Sequence, residues 1–325
     1  MTWVTWLQYR YQAALAAALL AGLAVVLLVT GLHAAQVWHS ALAGCALHGS
    51  CADLPGSPLS LASPRAYGLV VATAAVPLLP GLFWGAPMVA QEAETGTDQF
   101  AWTQSITRRR WLAVRTGWLL LGAAVLAGAV SALATWWSGP DNALNAVAFR
   151  LGRFDVIDIV PVGYAVFAMA LGICAGALLR RIVPAIGVTL AGFVALRVLT
   201  AWLRLYYMTP LTAYYKLTAN WPATGSYLEV SRGIVGQNGL PPVAGPGMVM
   251  AQPGQPIPAA CRPALASVNP DAVASCVTAH GYRGYLIYQP ASRFWAFQGI
   301  ETGIYVALAA ALLGVTFWVL KRRGA

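Results

Sequence analysis

QEAETGTDQFAWTQSITRRRWLAVR, residues 91–115, is a polar and charged segment between two long apolar runs. Only 9% of the 325 residues are charged, yet this segment holds two glutamates, one aspartate and four arginines. The flanking runs, Ala66–Ala90 and Trp111–Trp137, are each long enough to cross a bilayer, because about 20 apolar residues of helix span roughly 30 Å of hydrocarbon. The segment is therefore predicted to be an aqueous loop between two membrane spans.

The composition of the whole chain agrees with that prediction. Hydrophobic residues make up 59% of the sequence, which is typical of a multi-spanning membrane protein. The net charge of +10 raises the possibility of a nucleic-acid partner. The basic residues lie mostly beside the apolar runs, however, where the positive-inside rule accounts for them. We therefore expect contact with membrane lipid and no nucleic-acid partner.

The apolar runs predict an all-α membrane protein with six transmembrane helices. In chain order the predicted spans are Ala13–Leu32, Ala66–Ala90, Trp111–Trp137, Ile159–Leu179, Ile182–Leu205 and Gly299–Leu320. The second span contains Pro77, Pro80 and Pro87, each of which removes a backbone hydrogen-bond donor. Because a freed carbonyl in lipid needs a partner, we expect this helix to be kinked and to face protein or a cavity.

These spans divide the chain into four regions. Residues 1–12 are predicted to form an interfacial helix, because Trp3, Trp6, Leu7 and Arg10 share one helical face. The alternative is that these residues are only the first turns of the first span. Residues 13–205 form a five-helix transmembrane region with a loop at 91–110, residues 206–296 a large loop domain, and residues 297–325 the sixth helix and a tail. A segment as long as 206–296 is unlike a simple linker.

Basic residues of the short loops predict the orientation of the chain. If the N-terminus is cytoplasmic, the inner ends of the spans carry Arg10, Arg108, Arg109, Arg110, Arg115, Arg180, Arg181, Lys321, Arg322 and Arg323. The short outer loops then carry only Arg65, Arg150 and Arg153. We therefore expect both termini and the 91–110 loop in the cytoplasm, and the 206–296 loop outside it.

Four cysteines fall in the predicted outer loops. Cys45 with Cys51, and Cys261 with Cys276, would each close a short local loop in an oxidising compartment, so two disulfides are predicted. A metal site formed by His39, Cys45, His48 and Cys51 is the alternative, although this spacing fits no standard zinc pattern. We expect no metal ion.

Charged residues are rare inside the predicted spans. Arg197 in the fifth span and Glu301 in the sixth lie at similar depths from the outer end. Because an unpaired arginine costs about 2.5 to 3.5 kcal/mol in a span, we predict an intramembrane Arg197–Glu301 ion pair, with Arg204 as a competing partner. A proton relay is the alternative.

Two further patterns concern helix packing and docking. G-x-x-x-G spacing occurs at Gly81/Gly85, Gly172/Gly176 and Gly299/Gly303 and permits close helix contact, which we expect within the chain for Gly172/Gly176. In the 91–110 loop, Gly96 suits a helix end and Thr97 with Asp98 a helix start. That short helix would present Phe100 and Trp102 to a protein partner. The alternative is a solvated loop whose arginines only set the topology.

The loop also carries a family resemblance. Glu92, Glu94, Gly96 and Thr97, followed by Thr103, Ser105, Thr107 and Arg108–Trp111, resemble the loop between the second and third spans of bacterial ABC transporter permeases of the six-span type V exporter class. The segments VPVGYAVFAMALGICAGALLRRIVPA (160–185) and CVTAHGYRGYLIYQPASRFWAFQGIETGIYVALA (276–309) are similar to actinobacterial permease subunits that pair with a separate ATPase. Gln91 is a departure, since many relatives carry arginine there.

The resemblance implies a pair of permeases, either two copies of this chain or this chain with a homologue, docked on two ABC ATPase subunits. The loop would be the coupling segment, with docking residues Glu92, Glu94, Gly96, Thr97, Asp98, Phe100, Trp102 and Arg108. ATP and Mg²⁺ would bind the ATPase, because this chain has no G-x-x-x-x-G-K-[ST] motif and needs no cofactor of its own.

The function implied is a permease subunit of an ABC exporter in the bacterial cytoplasmic membrane, and not an enzyme. Its substrate would be an amphipathic or lipid-like molecule or a peptide antibiotic. One alternative is an ABC-coupled sensor or mechanotransmission complex that transports nothing. Another is an autonomous channel or secondary carrier, which the sequence disfavours because it lacks intramembrane ion ligands and inverted repeats.

Overall fold

The structure is a computed structural model that describes residues 2–48, 63–95, 108–145, 149, 152–216, 227–235, 259–261 and 270–322. It is mostly helical. The long helices are α1 (Thr2–His48), α2 (Pro64–Ala75), α3 (Ala86–Thr95), α4 (Arg108–Asn145), α5 (Val160–Leu179), α6 (Ile182–Leu203), α7 (Pro270–Ala279) and α8 (Phe294–Arg322). Short 3₁₀ turns occupy Val76–Leu78, Arg204–Tyr206, Ala259–Cys261 and Ala291–Arg293, and a π-helical turn occupies Gly81–Gly85.

Six helical stretches in the described part of the chain are long and apolar enough to cross a membrane, which confirms the predicted number. They are Ala17–Ser40, Pro64–Gln91, Ala113–Pro140, Val160–Leu179, Ile182–Tyr206 and Ala291–Arg322. Each overlaps the span predicted for it. The first and last extend further than predicted toward the predicted outer side, because the helices continue past the most apolar residues.

The N-terminal segment is part of helix α1. That helix runs without a break from Thr2 to His48, so residues 1–12 do not form a helix separate from the first span. The sequence explains the continuity, since no glycine or proline occurs before Gly22 to end a helix. The continuous helix agrees better with the alternative, in which these residues are the first turns of the first span. The position of residues 1–12 at the membrane surface stays a prediction.

The second span departs from α-helical geometry where its prolines lie. Pro77 is in the 3₁₀ turn Val76–Leu78, and Pro80 immediately precedes the π-helical turn Gly81–Gly85. Proline cannot donate the backbone hydrogen bond of a regular helix, so the turns around it tighten or widen. Most residues of these two turns are buried. The predicted distortion, facing protein, is therefore confirmed.

The chain forms two compact units. The first comprises residues 1–144, 152–198 and 298–325, and the second residues 145–151 and 199–297. In the first unit, α5 is the most buried helix, with 15 of its 20 residues buried. Its neighbours there include α3 and the distorted turns of the second span.

The second unit contains a three-stranded antiparallel sheet that the all-α prediction did not include. Strands β1 (Leu211–Tyr215), β2 (Tyr227–Val235) and β3 (Arg283–Pro290) lie in the order β1-β3-β2. The sequence distance between them hid the pairing, because β3 pairs with strands that end about 50 residues or more earlier.

Two cross-strand pairs in the sheet place a tyrosine opposite a glycine. Tyr215 pairs with Gly284, and Tyr285 pairs with Gly233. A Cβ atom at Gly284 would lie 2.4 Å from the ring of Tyr215, and one at Gly233 would lie 2.7 Å from the Tyr285 hydroxyl. Each ring therefore covers a position where only glycine leaves room. Such cross-strand pairs stabilise a sheet.

Cys261 and Cys276 form a disulfide in the second unit, before the last helix, as predicted. It joins the 3₁₀ turn Ala259–Cys261 to α7. The side chains of Cys45, His48 and Cys51 lie outside the described part of the chain, so the predicted Cys45–Cys51 disulfide and its metal alternative with His39 both stay predictions. Cys174 is a buried free cysteine in α5.

Candidate functional site

Most of the predicted coupling residues lie outside the described part of the chain. This holds for Gly96, Thr97, Asp98, Phe100 and Trp102. Glu92 is in α3 and Arg108 begins α4, but their side chains are also outside it. Docking by these residues therefore stays a prediction. Glu94 is the member of the set whose side chain is described.

Glu94 bonds to the start of the fifth span. Its carboxylate oxygen Oε1 accepts a hydrogen bond of 2.9 Å from the backbone N–H of Ile182, the first residue of α6. The first N–H groups of a helix have no partner within the helix and carry a partial positive charge, so a carboxylate is well suited to this place. Glu94 thus connects the end of α3, where the predicted coupling loop begins, to α6.

The turn between α5 and α6 has a geometry that suits this bond. Arg180 ends α5 in the left-handed conformation, with φ of 54°, and its N–H donates to Gly176 O at 3.0 Å. One residue later the next helix begins, and the N–H of Ala185 donates to Arg181 O at 3.2 Å. The reversal is so short that Ile182 N–H is left for the Glu94 carboxylate.

Four glycines bring the second span and α5 into backbone contact. We call Gly81, Gly85, Gly172 and Gly176 the glycine seam. A Cβ atom at Gly172 would lie 2.3 Å from Gly81 O, and one at Gly176 would lie 2.5 Å from Ala86 O. A Cβ atom at Gly85 would lie 2.9 Å from a backbone oxygen of α5. The packing predicted for Gly172/Gly176 within the chain is confirmed, and its partner is the second G-x-x-x-G pair.

By contrast, Gly299 and Gly303 have open space around them, since no heavy atom of the described chain lies within 4 Å of an added Cβ at either position. Two of the three G-x-x-x-G pairs therefore form helix contacts within the described chain, and the pair Gly299/Gly303 does not.

A buried group of charged and phenolic side chains lies at the other end of α5. We call Asp155, Tyr164, Arg197 and Glu301 the ion cluster. Arg197 Nη1 and Asp155 Oδ1 form an ion pair at 3.3 Å, and the Arg197 guanidinium lies 3.9 Å from the centre of the Tyr164 ring. The Tyr164 hydroxyl hydrogen-bonds to Glu301 Oε1 and lies 3.2 Å from Asp155 Oδ1. Glu301 and Tyr164 are both 0% exposed.

The described contacts add two residues to the pair that the sequence predicted. Arg197 forms an ion pair with Asp155, which lies in the segment just before α5, and Tyr164 connects that pair to Glu301. A direct Arg197–Glu301 pair stays a prediction. Arg204, the predicted competitor, is buried in the second unit.

Neighbouring helices position Asp155. The Gln298 side chain of α8 accepts from Val160 N–H at 3.0 Å and donates to Phe154 O at 3.3 Å, so it holds both sides of the turn into α5. From α4, Ser131 donates to Asp158 O at 2.6 Å and Thr135 accepts from Asp158 N–H at 3.0 Å. These bonds fix the chain that carries Asp155, because buried backbone groups need partners.

Sequence reasoning missed Asp155, Tyr164 and Gln298. One signal was present: Gln298 and Glu301 are three residues apart, so they share a face of α8. No comparable spacing links Asp155 to Arg197, whose separation along the chain is 42 residues.

Comparison with known proteins identifies the family. The sequence profile described as ABC-2 membrane transporter related matches residues 17–204, which is more than half of the chain. The chain belongs to this family. It is therefore an ABC permease of the ABC-2 type, a multi-pass membrane protein, and its family works with an ABC ATPase partner. No curated protein and no solved structure matches the sequence.

The family match covers the glycine seam and part of the ion cluster. The glycine seam, Glu94, Ile182 and all of α5 lie within residues 17–204. The match ends before the sheet and before α8, so Glu301 and Gln298 lie beyond it. The ion cluster thus combines the matched helices with the last one.

Proposed function

We propose that this ABC-2 permease is the membrane subunit of an exporter of the six-span type V class. It moves an amphipathic or lipid-like molecule or a peptide antibiotic outward, driven by a separate ATPase that binds ATP and Mg²⁺. Two permeases, identical or homologous, pair with two ATPase subunits in the bacterial cytoplasmic membrane. Both termini lie in the cytoplasm, and residues 206–296 lie outside it.

One observation carries this proposal: the Glu94 carboxylate bonds to the first backbone N–H of α6. The bond lies where the second span ends and the coupling loop begins. A displacement of the loop by the ATPase therefore acts on the fifth span as well as on the second. Transport driven from outside the membrane requires such a connection between the docking segment and the spans.

The glycine seam supports the same proposal. Backbone atoms of the second span and α5 are in contact, so the two helices are unable to approach each other more closely. A displacement of one helix is therefore transmitted to the other and is not lost in side-chain rearrangement. The distorted turns at Val76–Leu78 and Gly81–Gly85 lie on the same span, and π-helical turns occur frequently at functional sites. A force on α3 is thus passed to α5 and α6.

The coupling loop is tested by co-purification with the ABC ATPase encoded beside this chain. The variant carries Asp98→Lys and Phe100→Ala, which reverse a charge and remove an aromatic ring in the predicted docking helix. The matched control carries Tyr214→Ala in strand β1 and Lys216→Glu just after it, which are the same kinds of change at two exposed positions.

We expect the wild type and the control to retain the ATPase, and the loop variant to lose most of it while staying monodisperse in detergent. Equal retention by the loop variant would contradict docking through this loop. If the chain purifies alone and conducts solute with no ATPase present, the proposed function changes from an exporter to a channel or secondary carrier.

A second candidate function is an ABC-coupled sensor or mechanotransmission complex. The observation in its favour is the folded sheet with its disulfide, since a structured domain before the last span provides a surface for an outer ligand or partner. Reconstituted vesicles distinguish the two. Solute-stimulated ATP hydrolysis with accumulation of solute supports export, and hydrolysis without accumulation supports the sensor.

A further inference from the structure

The Cys261–Cys276 disulfide has a histidine beside it. Cys276 and His280 are four residues apart at the end of α7, so their side chains share one face. His280 Nδ1 lies 3.7 Å from Cys261 Sγ and 3.9 Å from Cys276 Sγ. The imidazole is therefore close to both sulfur atoms of the bond.

The hydrogen on the imidazole is placed by its closest contact. His280 Nδ1 lies 2.9 Å from Cys276 O, and a carbonyl oxygen only accepts hydrogen bonds. Nδ1 therefore carries a hydrogen, and that N–H edge faces the carbonyl and the two sulfurs. The His280 side chain is exposed, so the ring exchanges protons with water.

Apolar and phenolic side chains pack beside the disulfide. Tyr215, Ile234, Ala274 and Tyr282 lie against the cluster formed by Cys261 and Val277. Burial raises the pKa of Tyr215, which keeps that phenol neutral. The His280 imidazole is a nitrogen base beside both sulfurs, so it is placed to carry a proton to them.

The two sulfur atoms differ in access. Cys261 is fully buried, whereas Cys276 is partly exposed. An attacking thiolate therefore reaches Cys276 Sγ, and Cys261 Sγ is the leaving sulfur. Leaving groups of lower pKa depart faster, and a positive or hydrogen-donating neighbour lowers the pKa of a thiol.

We propose that Cys261–Cys276 is a site of thiol–disulfide exchange for a dithiol reductant, with His280 as the group that protonates the leaving sulfur. The thiolate of the dithiol attacks Cys276 Sγ, the S–S bond breaks, and its electron pair goes to Cys261 Sγ, which takes a proton from the imidazolium form of His280; water then returns a proton to the ring. The second thiol of the reductant loses its proton to water and attacks the reductant sulfur of the mixed disulfide, and Cys276 leaves as a thiolate that takes a proton from water. The reductant leaves as a disulfide, and the protein gains two electrons and two protons.

The same three residues do not hold a metal ion in the oxidised protein. Their ligand atoms lie within 4.8 Å of one another, but the two sulfurs are bonded to each other and are not thiolates. The geometry in the oxidised chain therefore points to the exchange reaction.

The test is the rate at which dithiothreitol reduces the disulfide in the full-length protein in detergent, at fixed pH. Free thiols are counted after an acid quench by maleimide labelling, in a background with Cys45→Ser, Cys51→Ser and Cys174→Ser. The variants are His280→Phe, which removes the proton carrier, and His280→Asn, which keeps a donor near the place of Nδ1. Tyr282→Phe is the matched control, because it changes a neighbour that donates no proton in the scheme.

We expect His280→Phe to slow reduction at least fivefold, His280→Asn to slow it less, and Tyr282→Phe to leave it unchanged. After denaturation in dodecyl sulfate, all four chains are expected to react at one rate, since the effect depends on the folded geometry. Equal rates for the folded wild type and His280→Phe would overturn the proposal. So would a folded wild type that is not reduced, or a difference that persists after denaturation.

Discussion

The two ends of α5 are held in opposite ways. Near Gly172 and Gly176 the helix touches the second span through backbone atoms of Gly81, Gly85 and Ala86. Near Tyr164 it is held by the ion cluster, whose charges come from the preceding segment, α6 and α8. The glycine seam forms because its four positions carry no side chain. The ion cluster, by contrast, is held together by charged groups. The seam should respond to side-chain size and the cluster to side-chain charge.

The largest expected effect is the loss of charge from the ion cluster. Arg197→Met keeps most of the side-chain volume but removes the positive charge that pairs with Asp155. Breaking a buried pair by removing one partner costs about 3 to 5 kcal/mol, so we expect a loss of that order in the free energy of unfolding, seen as a lower thermal midpoint in detergent.

Arg197→Lys is the matched variant, because it keeps the charge and changes the shape. It should recover at least half of the lost stability. If the methionine and lysine variants were equally destabilised, shape and not charge would hold this end of α5, and the contrast between the two ends would fail.

The next effect concerns size in the glycine seam. Gly172→Ala adds one carbon that would lie 2.3 Å from Gly81 O and 2.8 Å from Ala86 N. Both atoms belong to the backbone, so the helices must separate. Overpacking of this kind costs about 1 to 3 kcal/mol, measured again by thermal unfolding.

Gly187→Ala on α6 is the control, since no heavy atom of the described chain lies within 4 Å of the added carbon. Because alanine is the better helix former, this change should be neutral or stabilising by less than about 1 kcal/mol. Similar losses for Gly172→Ala and Gly187→Ala would show that the seam is not tightly closed.

The smallest effect on stability belongs to Glu94. Glu94→Ala removes the acceptor for Ile182 N–H, and loss of such a cap costs about 1 kcal/mol. Glu94→Gln retains an oxygen acceptor and should lose less. A fully neutral alanine variant would mean that this bond contributes nothing to the folded protein.

The same contrast explains what the sequence was able to predict. Helix number followed from runs of apolar residues, and the packing of Gly172/Gly176 within the chain followed from its G-x-x-x-G spacing, because both patterns are local and repeat with the helix. The partner pair, Gly81/Gly85, was found only in the structure. The distorted second span followed from Pro77 and Pro80, whose missing donor has the same consequence wherever it occurs.

The ion cluster and the sheet were less predictable because their contacts join distant parts of the chain. Asp155 meets Arg197 across 42 residues, and Tyr164 meets Glu301 across 137. Apolarity and depth identified Arg197 and Glu301 as residues in need of partners, but no periodicity names those partners. The pairing of β3 with β1 and β2 has the same difficulty, whereas the Cys261–Cys276 disulfide was found because its loop is short.

In the proposed mechanism the coupling loop acts on the fifth span through Glu94. An environment-sensitive fluorophore on Val183→Cys, a position that is 80% exposed in the first turn of α6, reports this movement. The chain carries Cys45→Ser, Cys51→Ser and Cys174→Ser and is purified with its ATPase, and the fluorescence change on adding ATP is compared between wild type, Glu94→Gln and Glu94→Ala. We expect all three to retain the ATPase, wild type and Glu94→Gln to respond to ATP, and the response of Glu94→Ala to fall by half or more. An undiminished response in Glu94→Ala would contradict this mechanism.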